Sequence, residues 1–73
     1  MSQELIKASV MKASVHLLLG NVSYPIQLLK QIEESGELGN SSAELQAYFY
    51  RTKVQVMHAV INVLTSASKV GLM

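Results

Sequence analysis

Three stretches of the chain repeat apolar residues at the spacing of an α-helix. In the first, Ile6, Val10, Ala13 and Leu17 recur at intervals of 4, 3 and 4, Val15 and Leu18 widen the stripe, and Ser9, Lys12 and His16 form the polar side. Residues at these intervals stack on one face of a helix. The pattern predicts a helix from Gln3 to Leu19, stopped by Gly20-Asn21, two residues that tolerate the left-handed conformation. A second helix is predicted from Tyr24 to Ser35. Ser23 is placed to cap it, and Pro25 falls in its first turn, where a missing N–H costs little. Leu28, Leu29 and Ile32 face one way, Gln27, Lys30, Gln31, Glu33 and Glu34 face solvent, and Gly36 ends the helix. The following "SGELGNSS" (35–42) reads as a loop.

The third stretch opens with Ser41 and Glu44 at the spacing of a capping box. Nothing interrupts it before Gly71, so residues 42–70 would form a rod of roughly 43 Å at 1.5 Å per residue. Val54, Val56, Val60, Ile61 and Val63 are β-branched, which makes a strand the local competitor. Arg51, Gln55, His58, Asn62 and Ser66 recur at helical spacing and no turn signal bounds the run, which decides for the helix. The expected architecture is one all-α domain over residues 1–73. It is a helical hairpin of two longer helices with a short additional helix, three in total, the C-terminal one the longest.

Within that helix, "VQVMHAVINVL" (54–64) has Val, Met, Ile or Leu at seven of eleven positions. Val56, Ala59, Val60, Val63 and Ala67 make one stripe; Val54, Met57, Ile61 and Leu64 make a second beside it. A helix this apolar around its circumference is buried on more than one side. The core is therefore predicted from Leu28, Leu29, Ile32, Val56, Val60 and Val63, and a partner interface from Val54, Met57, Ile61 and Leu64. Tyr48 and Phe49, in the aromatic cluster "YFYR" (48–51), join that interface because aromatic residues and Arg are enriched at interface hot spots. The same two rings could equally cover the loop end of the helix pair.

Size strengthens the case for a partner. Chains of this length bury only about 60% of the surface that their unfolded form exposes, and small scaffolds commonly rely on a disulfide, a metal or another chain. The sequence has no cysteine, and two histidines without Cys or Asp do not suggest a structural metal. Apolar residues make up 49% and charged residues 15%, against an average near 25% charged. The expected partner is another helical protein or a second copy of the chain. The net charge is +1, with Lys7, Lys12, Lys30, Arg51, Lys53 and Lys69 scattered rather than clustered, so nucleic acid is not the expected partner. No apolar run fits a signal peptide, and no window of about 20 apolar residues fits a membrane span. The expectation is a cytoplasmic protein, or one secreted without a cleaved signal.

Candidate chemistry is sparse. His16 and His58 have no acidic neighbour in the same turn and read as solvated. Glu33 and Glu34 are adjacent on a helix and diverge by about 100°, so they do not converge on one substrate. Gly36 and Gly39 lack the spacing of a phosphate loop. Ser9–Lys12 and Ser66–Lys69 have a Ser-x-x-Lys spacing, but the companion motifs of that chemistry are missing. No enzyme activity, cofactor, metal or small-molecule substrate is expected.

The segment "LLKQIEESGELGNSSAELQAYFYRTKVQVMHAVINVL" resembles the small co-chaperones of the type III secretion needle subunit, the YscE/PscE/SsaE group. The resemblance rests on Lys30-Gln31-Ile32-Glu33-Glu34, the loop Gly36–Asn40, Leu45-Gln46-Ala47-Tyr48 and the aliphatic end "AVINVL", and covers about 40 residues. It implies a non-catalytic cytoplasmic protein that packs a hairpin face against a helical-repeat chaperone and helps keep the needle subunit from polymerising. Segment 3–19 and "GNVSYP" do not map onto that group. The layout also suits a self-assembling needle or inner-rod subunit. Separately, "LLLGNVSYPIQLLKQIEE" is similar to small biofilm regulators of the YmgB/AriR type, which implies a homodimeric helical regulator.

Overall fold

The computed structural model describes the backbone of residues 2–71 and the side chains of residues 2–66. The chain forms α1 (Gln3–Leu18), α2 (Ser23–Ser35), a single 3₁₀ turn (Leu38–Asn40) and α3 (Ala43–Gly71). The described residues contain no strand, so the fold is all-α with a long C-terminal helix, as the periodicity predicts.

Each boundary has a local cause. Ser2 caps α1, its Oγ accepting from the Leu5 N–H at 3.2 Å. At the other end Gly20 takes φ 85°, which lets its N–H reach the Leu17 carbonyl while the Asn21 N–H reaches His16, both at 3.0 Å. This paired closure satisfies carbonyls that the end of a helix otherwise leaves unbonded. Asn21 then starts α2: its Oδ1 accepts from the Tyr24 N–H at 3.4 Å. The expected cap, Ser23, is instead the first residue of the helix, with its hydroxyl turned to that same Asn21 oxygen. Gly36, at φ 73°, closes α2.

The α3 cap also lies one residue later than the spacing predicts. Ser42 accepts from the Leu45 N–H at 3.2 Å. Ser41 is occupied elsewhere, its hydroxyl donating to the Glu37 carbonyl at 3.1 Å. The Gln46 amide donates back to the carbonyls of Gly39 and Ser41, which folds the preceding turn against the start of the helix.

The core is small and drawn from every element. Ile6, Val10 and Ala13 of α1 meet Leu29 and Ile32 of α2, Leu38 of the turn, and Leu45, Phe49 and Val56 of α3. Leu17, Leu28 and Tyr48 are half-buried against it. The expected core residues Leu29, Ile32 and Val56 are buried, and Val60 is half-buried. Val63 is not core: it is 57% exposed. With 13 residues, α2 reaches only about 20 Å, whereas the 29 residues of α3 run on beyond it along a molecule 48 × 19 × 18 Å across. Val15 and Leu18 do not widen the buried stripe of α1 either, since both are exposed. Leu38, inside the expected loop, is buried and caps the loop end of the core. Ala67, expected on an apolar stripe of α3, lies outside the described side chains.

Candidate functional site

The inner face of α3 carries Leu45, Phe49, Thr52 and Val56, all at most 7% exposed. At about 100° per residue, Tyr50, Val54, Met57, Ile61 and Leu64 lie roughly 130° round the helix from that face. They are between 51% and 64% exposed. The two faces point so differently that the helices packed on the inner one cannot also cover the outer one. Arg51, Gln55, His58 and Asn62 form a polar band on one flank of the outer stripe, all exposed.

On the other flank the surface stays apolar and dips into a groove between α2 and α3. One part, of ≈ 340 Å³, lies over Leu29 and Val56 with Ile26 and Met57 at its edges. Another, of ≈ 450 Å³, lies between the α1–α2 turn and Val60, Val63 and Leu64. Ile26 borders both. Among the described residues, one charged contact crosses from α2 to α3 at this rim, Lys53 Nζ to Glu33 Oε1 at 2.8 Å. Both side chains are over a third exposed, so the pair contributes little to stability, on the order of 0–1 kcal/mol. Its geometric effect is to hold the Lys53 ammonium over α2, away from the outer stripe.

The structure divides the residues expected at a partner interface. Val54, Met57, Ile61 and Leu64 form one exposed line on α3, and Tyr50 extends it toward the N-terminus. Tyr48 is half-buried against the core, in a cleft that it shares with Gln3, Lys7 and Glu44. Phe49 is a correction: it is 0% exposed and the largest fully buried side chain. Tyr50 meets it edge-on, with ring centroids 5.2 Å apart. The covering role that the sequence allowed for the two rings is the one Phe49 adopts. Tyr50, outside the expected set, shares the exposure of Val54, Met57, Ile61 and Leu64, and the 4-3-4-3 spacing of positions 50, 54, 57, 61 and 64 is the signal that places it in their line.

A second exposed apolar cluster lies at the end of α1, where Leu18 and Leu19 are 87% and 77% exposed beside Val15 and Met11. The histidines are apart. His16 sits edge-on to Tyr24, centroids 4.5 Å apart, and Lys12 Nζ lies 5.7 Å from the same ring centroid, while His58 is exposed on the polar band of α3. Among the described residues, no three His, Cys, Asp or Glu side chains gather as a metal site would require, and no helix is long and apolar enough to cross a membrane. Comparison with family models, with characterised proteins and with solved structures finds no match for the chain.

Proposed function

We propose that this chain is a non-catalytic interaction module that presents the outer face of α3, with the adjoining α2–α3 groove, to a helix of another polypeptide. One observation carries the reading: five large apolar side chains in helical register are left more than half exposed on a helix whose own core lies elsewhere. A stripe of this kind is worth several kcal/mol when a partner buries it, at about 25 cal/mol per Å², and invites non-specific association when none does. An amphipathic helix laid into an apolar groove is a common recognition mode for such surfaces.

Within that class, the reading we favour is a cytoplasmic co-chaperone of a secretion-system subunit. The resemblance of residues 28–64 to needle co-chaperones supports it, as does the order of amphipathic helix, Gly-containing turn and longer helix. The test is co-expression of the chain with the products of the genes that flank its own, followed by purification through a tag on the chain. A small helical protein should co-purify in fixed ratio and be lost with Ile61→Glu, while that variant keeps its helix content. A chain that elutes without any neighbour's product, or an Ile61→Glu variant that loses helix, contradicts the reading. Filaments that lengthen with concentration would instead mark a needle or rod subunit.

A further inference from the structure

We infer that, while no other partner is bound, the outer face of α3 is the seam of a parallel two-stranded coiled coil, covered by a second copy of this chain. The inference rests on reading that face as an interface and names its occupant. Counted from Ala47, three successive heptads place Ala47, Val54 and Ile61 at position a and Tyr50, Met57 and Leu64 at position d. The a positions after the first are β-branched and the last d position is Leu, the arrangement that favours two parallel strands over three or four. In a parallel pair each seam residue meets its own copy, so one sequence complements itself without a second evolved surface.

Three further features fit this occupant. No charged residue stands at a or d from Ala47 to Leu64, so pairing buries no unmatched charge. The positions flanking the seam would bring Gln46 beside Arg51 and Lys53 beside His58 of the other copy. Lys53 is already engaged by Glu33 at 2.8 Å, which leaves no bare pair of like charges to oppose association. The buried contacts of α3 with α1 and α2 centre roughly 130° from the seam, and α2 approaches the seam along the groove edged by Met57 and Leu64.

The extent is also sufficient. Five half-exposed large side chains lose on the order of 100 Å² each, about 1,000 Å² over both copies before the flanks are counted, which meets the lower bound for a specific interface. Isolated three-heptad helices are marginal because each must first nucleate. Here packing on the inner face already forms the helix, and association does not bear that cost.

The chain has no native cysteine, so Tyr50→Cys and Ile61→Cys each introduce a single thiol toward one end of the seam. Both residues are exposed, and helix content of the reduced variants checks that each folds. A disulfide needs Cα atoms within about 7 Å, so each variant oxidised alone should yield at least about tenfold more covalent dimer than Gln55→Cys on the polar band. Cross-linking only when the two variants are mixed would mean an antiparallel pairing and overturn the inference. No cross-linking above the Gln55→Cys level would overturn it as well. If Ile61→Glu still releases a co-expressed partner in that last case, the docking face stands and only its occupant is wrong. If it does not, the face itself is removed from the account.

Discussion

The inner and outer faces of α3 are both built from large apolar side chains, yet one is almost fully buried and the other more than half exposed. The difference is not in hydrophobicity. It lies in what stands opposite each face: α1, α2 and Leu38 cover the inner one, whereas α2 and the α1–α2 turn only edge the outer one, at Met57 and Leu64. Apolar character therefore says that a face is to be buried, and only the reach of the neighbouring helices says by whom. Among the described residues the neighbours end before the long helix does.

The sharpest way to separate the faces is to truncate one residue on each. Phe49→Ala empties the centre of the core and should cost about 3–5 kcal/mol, a large part of the stability available to so small a domain. Circular dichroism should show a large drop in melting temperature or loss of helix at 25 °C. Ile61→Glu acts on the outer face. It should shift the stability of the monomer by no more than about 0.5 kcal/mol, as exposed substitutions do, while weakening association by at least about tenfold, because it places a carboxylate in a desolvated seam. Analytical ultracentrifugation of the variant beside wild type reads that loss.

Smaller effects test how α3 is set. Ser42→Ala removes the hydroxyl that accepts from Leu45 and should cost about 1 kcal/mol. Ser41→Ala removes a donor to the Glu37 carbonyl and should cost less, in chemical denaturation of both variants. Equal losses, or the reverse order, would return the cap to Ser41. Smallest is Glu33→Gln at the α2–α3 rim. Its pair with Lys53 is over a third exposed on both sides, so the expected cost is a few tenths of a kcal/mol, fading as salt is added.

Much of this architecture is legible in the sequence because helical periodicity is a local signal. Ile6, Val10 and Ala13 announce the buried side of α1, Gly20 and Gly36 mark the two helix ends, and the polar residues at 51, 55, 58 and 62 orient α3. What periodicity does not contain is the reach of a neighbour. Val63 shares a stripe with Val56, but lies where α2 has ended its cover, so one is core and the other surface. Val15 and Leu18 are apolar and on a helix, yet face away from both partners of α1. Phe49 shows the opposite error: its place in an aromatic cluster suggests a contact surface, while it is fully buried in the core that α1, α2, Leu38 and α3 build together. The four exposed residues Val54, Met57, Ile61 and Leu64 were legible because their 3-4-3 spacing sets them on a single line away from the residues that α1 and α2 contact.

Sedimentation equilibrium of the wild-type chain, from about 1 μM to several hundred μM, a span that brackets modest interface affinities, reads directly whether a second copy covers the outer face of α3. The expected result is a helical 8.0 kDa monomer at the dilute end that converts to a dimer of twice that mass as concentration rises, with no loss of helix at either end. A single 8.0 kDa species throughout that range would rule out a second copy as the occupant of the outer face.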